Sequence, residues 1–290
     1  KQRVAEHNQR EQLNKINMNS IVRIDPDTNV MHATKNAILR SVGGICLAVD
    51  MVFQKHANSV FCCTRPPGHH SERNLSQGFC YLNTVGIGAK HAQAVYGINK
   101  VAVLDFDVHH GNGTEEGFLP DPTLFYGSTH EKDNYPGTGE EPRYKGDFAR
   151  DSVHRRIVNR TLPSGSDSIT SFRTKWKEII EEMILFEPEL IIFSAGFDAH
   201  KDDPLGGTNL REIDFIWATK VVMDACVVIN PKTPPPCIST LEGGYNIQAI
   251  SKSALAHVQV LECGIPKPTI VPVVGDEIAA MRRHMESIGL

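Results

Sequence analysis

Short apolar runs alternate with helical patterns along most of the chain, and this alternation restricts the fold more than any other feature of the sequence. The runs predicted as strands are Ser59–Cys63, Val101–Asp107, Thr123–Ser128, Leu190–Ala195 and Cys237–Leu241. Most of them are continuously apolar, which is typical of parallel strands that are covered on both faces. The sequence therefore predicts an α/β fold, a single domain with a mostly parallel sheet flanked by helices.

The segments between these runs have the periodicity of helices. Predicted helices are Ala37–Phe53, Asn83–Tyr96, the stripe from Phe172 to Met183, Ile213–Ile229 and Ser251–Cys263, where apolar residues recur at spacings of three and four. Two segments, Lys132–Gly146 and Asn230–Pro236, are predicted as loops rather than domain boundaries. Residues 1–20 form a polar N-terminal arm, predicted as an exposed helix or a frayed segment, and residues 21–290 are predicted as one domain.

The composition excludes several classes of function. The chain has 30 basic and 34 acidic residues, and its net charge of −4 argues against direct nucleic-acid binding. No run of about 18 apolar residues occurs, so we expect no membrane span. The seven cysteines include no CxxC pair, and Cys62 and Cys63 lie in an apolar run. They are predicted to be buried free thiols in a reducing compartment.

Polar residues follow four of the predicted strands at the point where each strand ends. The segments are Arg65–His70, Asp105–Gly111, Ala195–Asp198 and Glu242–Tyr245. In an open parallel sheet, ligands bind beyond the carboxyl ends of the strands. The four segments therefore predict a functional site at this edge.

Two of these segments suggest a metal site. Asp107 and His109 are two residues apart and point to the same side of an extended chain, and Asp198 ends another strand. Three protein ligands with one open position are the arrangement of a catalytic zinc site. A two-metal manganese site that also uses residues 200–203 is an alternative. The simpler interpretation of His200–Asp203 is a solvated loop before Pro204.

The other two segments suggest acid–base chemistry and an oxyanion donor. His69 and His70 follow a rigid Pro-Pro-Gly turn, and neutral imidazoles suit proton transfer near pH 7. Asp105 is free to orient one imidazole, and Asn112 could orient the other. Tyr245 follows two glycines, and its phenol could donate a hydrogen bond to a developing oxyanion.

In this order along the chain, the motifs resemble those of the zinc-dependent histone deacetylase family. The motifs are Arg65–His70, Gly78–Asn83, Asp105–Thr114, Ala195–Asp198 and Glu242–Tyr245, and the resemblance runs from roughly Asp27 to Cys263. It is closer to class II than to class I, which usually has Asp where Asn112 stands. The resemblance implies an arginase/deacetylase-like fold. The family's usual N-terminal strand and helix are not evident before Ile21, so we expect residues 21–290 to be an N-terminally truncated catalytic domain.

The resemblance also implies roles for individual residues. Zn2+ would be bound by Asp107, His109 and Asp198. The implied catalytic residues are His70 (general base and acid), His69 (electrostatic partner), Asp105 and Asn112 (which orient His69 and His70, respectively) and Tyr245 (which polarises the acetyl carbonyl). The implied substrate-binding residues are Phe79 and Tyr135 (channel walls), Asp27 (substrate backbone), Leu205 (channel mouth), Gly78 and Gly243. A structural K+ is implied near Asp105, Asp107, His109 and Ser128.

The function implied by this resemblance is zinc-dependent deacetylation of lysine in histone tails or other proteins. Two alternatives are an amidohydrolase of acetylated polyamines and a weakly active acetyl-lysine-binding scaffold. Tyr245 favours an active enzyme, because relatives with His at this position are poor deacetylases. Leu205 favours protein substrates, because the polyamine-selective branch has an acidic residue there. Corepressor-type complexes and a location in the nucleus, the cytoplasm or both are further expectations.

Overall fold

The computed structural model describes residues 20–141 and 156–264. Its strands are β1 (Val22–Arg23), β2 (Asn29–Val30), β3 (Ser59–Cys62), β4 (Val101–Asp105), β5 (Leu124–Glu131), β6 (Ile157–Leu162), β7 (Leu190–Ala195) and β8 (Cys237–Leu241). Its α-helices are α1 (Thr34–Phe53), α2 (Thr84–Tyr96), α3 (Asn112–Phe118), α4 (Thr174–Phe186), α5 (Glu212–Ile229) and α6 (Ile247–Cys263). A π-helical segment, Ser168–Arg173, leads into α4.

Six strands form one sheet in the order β3-β8-β7-β4-β5-β6, and every neighbouring pair is parallel. β1 and β2 form a separate antiparallel ribbon. The predicted α/β class with a mostly parallel sheet is confirmed. The chain adds β5 and β6 on one side of β4 and then returns to add β7 and β8 on the other side. The strand order thus reverses between β4 and β7, and a crevice beyond the carboxyl ends of such strands is the usual ligand site.

Both faces of the sheet are covered, as the side chains of β4 show. Ala102 and Leu104 belong to a buried cluster that includes residues of α4 and α5. Val101 and Val103 belong to a second cluster, formed with α1 and α2 on the other face. The alternation follows from the period of two in a strand, and it explains why β4 is apolar throughout until Asp105.

The alternation continues beyond the end of β4 and divides core residues from site residues. Phe106 enters the first cluster, where its ring centroid lies 6.0 Å from that of Trp176 and 5.6 Å from that of Phe215. Asp105 and Asp107, on either side of Phe106, instead approach the imidazole of His69. One buried phenylalanine therefore anchors the segment that carries two site carboxylates.

Local signals fix the ends of the helices that lead to and from the site. The side chain of Asn83 accepts a hydrogen bond from the backbone N–H of Gly86 and caps α2, which ends at Gly97 with φ of 67°. Asn246 caps α6 in the same way, through the N–H groups of Gln248 and Ala249. This cap lies directly after Tyr245, so the start of α6 is part of the site.

Most predicted elements are present, with small shifts of their ends. The strands predicted at Leu190–Ala195 and Cys237–Leu241 have those bounds, whereas β4 ends two residues before the predicted Asp107. The sequence analysis missed β1, β2, β6 and α3. Within the predicted Lys132–Gly146 loop, residues 132–141 form neither helix nor strand, and the remainder lies outside the described residues. The predicted arm also lies outside them, except for Ser20.

Helix α1 is long and apolar enough to cross a membrane by length and composition alone. Its 18-residue window has a mean hydropathy of 1.5, and 28% of that window is buried. This is weak evidence for a span, because the core helix of a globular protein passes the same test. Here Ile45, Val49 and Val52 of α1 lie in the core against α2.

All seven cysteines lie in the described residues, and all are free. Cys62, Cys80, Cys226 and Cys237 are buried, as the sequence predicts. Cys63 and Cys263 are exposed, so the prediction of burial is wrong for them. Cys63 follows the last residue of β3 and points out of the apolar run that suggested its burial.

We predict that replacing the anchoring phenylalanine destabilises the fold. Phe106→Ala should lower the free energy of unfolding by about 3–5 kcal/mol, because a cavity remains among rings that cannot collapse fully. Urea unfolding followed by circular dichroism measures the change. Leu47→Ala, at a position in α1 that is 58% exposed, is the matched control and should cost less than about 1 kcal/mol. Equal losses in the two variants would contradict the proposed anchor.

Candidate active site and metal centre

The four strand ends that carry the predicted motifs lie side by side. β3, β8, β7 and β4 are consecutive neighbours in the sheet, so the segments that follow them meet at one edge. Residues from all four segments are buried there, including His69, Asp107, Asp198 and Glu242. The reversal of strand order between β4 and β7 places Asp107 and Asp198 on the two sides of the crevice.

Asp107, His109 and Asp198 form the group of metal-ligand side chains that the described residues bring together. One donor atom of each lies within 4.8 Å of the other two, and all three residues are buried. The Nδ1 atom of His109 is 3.0 Å from Oδ1 of Asp107 and 3.1 Å from Oδ2 of Asp198. For comparison, donors that surround one Zn2+ tetrahedrally at about 2.0–2.2 Å are roughly 3.3–3.5 Å apart.

Backbone N–H groups hold the two carboxylates of this triad in place. Asp107 accepts hydrogen bonds from the N–H of His109 at 2.9 Å and from the N–H of Gly243 at 2.8 Å. Asp198 accepts one from the N–H of Val108 at 2.8 Å. A Cβ atom at Gly243 would lie 2.1 Å from Oδ2 of Asp198, so only glycine fits here. Gly243 therefore shapes the metal centre, whereas its predicted contact with substrate stays a prediction.

The electrostatics of the triad fit a bound cation. Burial and the neighbouring charge of Asp107 raise the pKa of Asp198. Burial opposes protonation of His109, but the charges of Asp198 and Asp107 outweigh it and raise the pKa of His109 to about 11. Two desolvated carboxylates this close need a positive charge between them. A divalent metal supplies this charge, so the donor set and its burial fit a metal ion.

Asp105 holds His69 in one orientation. Its Oδ2 atom accepts hydrogen bonds from Nδ1 of His69 and from the hydroxyl of Tyr126, both at 3.0 Å. Burial would lower the pKa of His69, but the charges of Asp107 and Asp105 raise it to about 10. The two carboxylates thus favour a protonated His69 beside the candidate metal ligands, and its predicted role as electrostatic partner stays a prediction.

His70 has the opposite protonation state. Its Nδ1 atom lies 2.9 Å from Oδ1 of Asn112, whose Nδ2 atom donates to Glu72 at 2.6 Å. Because an amide oxygen only accepts, the proton of His70 is on Nδ1, and Nε2 is left as an acceptor. Burial and the charge of His69 lower the pKa of His70 well below its usual value. His70 is therefore a neutral imidazole with a basic nitrogen available.

Tyr245 lies beside His109 and Phe79. Its ring centroid is 6.4 Å from that of His109 and 6.0 Å from that of Phe79. Burial, followed by the charges of Asp198 and Asp107, raises the pKa of the phenol well above its usual value. Tyr245 therefore remains protonated and available as a hydrogen-bond donor near neutral pH.

Two aromatic side chains, Tyr135 and Phe79, lie beside the histidines of the site. The ring of Tyr135 lies edge-on to His70 at 5.0 Å and to His109 at 6.2 Å. Phe79 is 40% exposed and has a left-handed φ of 64°. It follows Gly78, where a Cβ atom would lie 2.4 Å from the ring of His70. The structure thus places both predicted wall residues, Phe79 and Tyr135, around the site.

The predicted rim residues lie beside these walls. Oδ1 of Asp27 accepts hydrogen bonds from the N–H of Gly78 at 3.0 Å and from the hydroxyl of Thr28 at 2.6 Å. The N–H of Gly78 is therefore engaged by Asp27. Leu205 is 47% exposed, and its carbonyl accepts a bond of 3.3 Å from Asn134, the residue before Tyr135. Asp27 consequently supports a channel wall, and its predicted bond to the substrate backbone stays a prediction.

Glu242 is a site residue that the sequence analysis left without a role. Its Oε2 atom accepts hydrogen bonds from the N–H groups of Gly68, at 2.7 Å, and His69, at 3.1 Å. Its Oε1 atom accepts one from the hydroxyl of Ser194 at 2.8 Å. This carboxylate at the end of β8 thus holds the turn before His70. The sequence signal that could have identified Glu242 as a site residue is its position at the end of β8, directly before Gly243-Gly244.

The interpretation of His200–Asp203 as a solvated loop is wrong for two of its residues. His200 is 2% and Asp203 is 6% exposed, and each side chain accepts a hydrogen bond from a nearby backbone N–H group. Asp202 points outward and pairs with Lys201. None of these three residues joins Asp107, His109 and Asp198 in the metal-ligand group of the described residues. The geometry therefore favours one metal over the two-metal alternative.

Comparisons with known proteins identify the family. A model of the histone deacetylase domain matches residues 1–261. Type-2 histone deacetylase 2 of Dictyostelium discoideum is 38% identical over 250 residues, which are 81% of this chain and 14% of that protein. Histone deacetylase 14, chloroplastic, of Arabidopsis thaliana is 37% identical over 233 residues, which are 78% of this chain and 53% of that protein. The chain thus spans about half or less of the length of these relatives.

Solved structures give the same result. The HDA15 HD domain has a TM-score of 0.75 and 27% identity, and the match covers 95% of this chain and 75% of that one. The acetylpolyamine aminohydrolase from Burkholderia pseudomallei has a TM-score of 0.70 and 27% identity over 82% of this chain and 66% of that one. The domain match over residues 1–261 and the 38% sequence identity to the Dictyostelium relative confirm the predicted family. The chain belongs to the histone deacetylase family.

Proposed function

We propose that this chain is a zinc-dependent lysine deacetylase of the class II type, which hydrolyses acetyl-lysine to lysine and acetate. The observation that carries the proposal is the position of a neutral His70, with Nε2 free, beside the triad of Asp107, His109 and Asp198. A base next to a buried metal site, with a phenol facing it, has the parts needed for amide hydrolysis. Two of the relatives are named type-2 histone deacetylases, which supports the class.

Asp107, His109 and Asp198 would hold the zinc ion. One imidazole and two carboxylates are ligands that zinc commonly takes, and three protein ligands leave a position open. When bound, Zn2+ supplies Lewis-acid polarisation of the amide carbonyl and lowers the pKa of a coordinated water to about 7. The side chains around it then supply the proton transfers and the positioning.

His70 provides both proton transfers. Its Nε2 atom takes a proton from the water whose oxygen forms a bond to the acetyl carbon. It returns the proton to the lysine nitrogen as the C–N bond breaks, so that the amine leaves as a neutral group and the acyl part as acetic acid. The acid then gives its proton to the amine or to solvent, and the products are acetate and lysine. The bond from Nδ1 to Asn112 keeps Nε2 turned toward the reacting atoms throughout.

Tyr245 stabilises the negative charge that develops on the acetyl oxygen. Its raised pKa keeps the hydroxyl protonated, so it donates a hydrogen bond and does not compete as an anion. A protonated His69, which the charges of Asp107 and Asp105 favour, would add positive charge beside the same site without taking part in the proton transfer. Phe79 and Tyr135 would enclose the lysine methylenes, because their rings offer apolar walls to an uncharged stem.

The proposed substrate is acetyl-lysine in histone tails or other proteins rather than an acetylated polyamine. The second ammonium of a polyamine would meet Leu205 at the channel mouth and lose hydration without gaining a partner. A peptide instead keeps its backbone at the rim, near Asp27. The similarity to an acetylpolyamine aminohydrolase makes the polyamine the alternative to be tested.

Further proposals follow from the family. A structural K+ would lie near Asp105, Asp107, His109 and Ser128, which is supported by the pairing of Asp105 with Ser128 across β4 and β5. Corepressor-type complexes and a nuclear or cytoplasmic location stay predictions. Interaction assays and imaging of the tagged protein in cells test them directly.

The first prediction concerns the metal. The purified protein should bind about one Zn per chain, and Asp198→Asn should abolish this binding by replacing a charged ligand with a neutral amide. Equilibrium dialysis with elemental analysis measures the ratio. Asp224→Asn, at a buried carboxylate that binds Lys220 away from the site, is the control and should keep its Zn. Two tightly bound Mn ions per chain would instead support the two-metal alternative.

The second prediction concerns the phenol. Tyr245→Phe keeps the ring but removes the donor, so kcat on an acetyl-lysine peptide should fall on the order of 10²–10³-fold. Steady-state kinetics measure the loss, and elemental analysis should show unchanged Zn. A kcat equal to that of the unmutated enzyme would require another group to polarise the carbonyl.

The third prediction concerns substrate choice. The value of kcat/KM should be higher for an acetylated peptide than for acetylspermidine, and Leu205→Glu should narrow or reverse this preference by offering the ammonium a partner. Leu255→Glu makes the same change at an exposed position of α6 and should leave the preference as it is. Faster turnover of acetylspermidine by the unmutated enzyme would overturn the protein substrate while leaving the zinc chemistry in place.

A further inference from the structure

Asp203 lies where two turns of the site meet, the turn of Leu205 and the turn of Tyr245. Its Oδ2 atom accepts hydrogen bonds from the N–H of Tyr245 at 2.6 Å and from the N–H of Asn246 at 3.2 Å. Its Oδ1 atom accepts one from the N–H of Leu205 at 3.0 Å. Hydrogen bonds from N–H groups to a buried carboxylate are among the stronger ones in proteins. One side chain thus binds the backbone of both Tyr245 and Leu205.

A second contact ties the same two turns together. Nδ2 of Asn246 donates to the carbonyl of Asp202 at 2.9 Å, while Oδ1 of Asn246 caps α6. The N–H of Asp203 donates to the carbonyl of His200 at 2.9 Å, which closes the turn that carries the carboxylate. The turn at residues 200–203 is therefore fixed to the start of a 17-residue helix.

Tyr245 needs such support because of the residues that precede it. Gly244 has φ of 132°, a conformation that L-residues with a side chain rarely adopt, and glycine places little restraint on the backbone. Gly243 is held by its N–H to Asp107. Beyond the glycine pair, the N–H of Tyr245 is held by Asp203, so the two bonds fix the loop from opposite ends.

We propose that Asp203 is a positioning residue that sets the place of the Tyr245 hydroxyl through the Tyr245 backbone, an inference that rests on the proposed role of Tyr245 in deacetylation. Asp203 does not touch the reacting atoms. It fixes the loop from which the phenol projects, and it binds that loop to the turn of Leu205 at the channel mouth. Misplacing a catalytic group by about 1 Å can cost on the order of 10²-fold in rate.

The first measurement needs no mutation. In the unmutated protein, hydrogen exchange at the backbone amides of Tyr245 and Asn246 should be slow, although neither lies in a strand or in the body of a helix. Nuclear magnetic resonance or mass spectrometry of the peptide that contains them measures the rates. Rapid exchange at both amides would overturn the proposal, whatever substrate the enzyme takes.

The second measurement uses Asp203→Asn, in which one acceptor oxygen becomes an N–H donor facing other donors. Exchange at Tyr245 and Asn246 should accelerate, and kcat on an acetyl-lysine peptide should fall by about 10–100-fold with a small change in KM. Asp203→Glu keeps a carboxylate and should recover part of kcat. Asp202→Asn removes a neighbouring exposed carboxylate and should change neither quantity.

The decisive comparison combines the change with Tyr245→Phe. If Asp203 acts through the phenol, Asp203→Asn should lower kcat much less in the Tyr245→Phe background than in the unmutated one. Equal losses in both backgrounds, with Zn content and thermal unfolding midpoint unchanged, would show that Asp203 does not act through Tyr245. Inactivity of the unmutated enzyme on acetyl-lysine would overturn the proposed function instead, and the exchange rates would still test the contact.

Discussion

Four buried carboxylates, Asp105, Asp107, Asp198 and Glu242, set the conditions on which the rest of the site depends. All are 5% exposed or less, and an unpaired buried carboxylate costs several kcal/mol. Each of the four carboxylates accepts at least one hydrogen bond from a backbone N–H group, which offsets part of this cost. Those N–H groups become available where strands end and the ladder stops pairing. The ends of parallel strands are thus the place where this much negative charge can be buried.

The same charges explain why two adjacent histidines differ. His69 touches the carboxylate of Asp105 and is held as a cation, whereas His70 bonds to the neutral amide of Asn112. A charge on the neighbouring His69 lowers the pKa of His70 further. One residue can therefore supply fixed positive charge while the other carries out proton transfer. The division arises from the surroundings of the two rings: the charges of Asp107 and Asp105 raise the pKa of His69, whereas burial and the charge of His69 lower the pKa of His70.

The sequence was informative where a feature is local and uninformative where it depends on the fold. Apolar strands such as Leu190–Ala195 were predicted with their bounds, because continuous burial gives an unbroken apolar run. β6 was missed because Asn159 and Arg160 interrupt its run at the edge of the sheet. The predicted metal ligands, the histidine pair and Tyr245 lie together at the carboxyl edge of the sheet. Apart from the local bond between Asp203 and Leu205, the supporting contacts of Glu242 and Asp203 join residues 42 to 174 positions apart, and no local pattern encodes them.

Hydrogen bonds connect the turn of Leu205, at the proposed channel mouth, to the loop that carries Tyr245, the proposed oxyanion donor. The turn of Leu205 is bonded on one side to Asn134, beside the channel wall Tyr135, and on the other side to Asp203, beside Tyr245. Glu131 adds a bond from the N–H of Gly207 and one from the side chain of Asn134. Under the proposed function, a change in the shape of this turn would move the proposed wall Tyr135 and the proposed oxyanion donor Tyr245 together. In the proposed enzyme, residues at the channel mouth would then affect substrate choice partly through the positions of the catalytic groups, and not by direct contact alone.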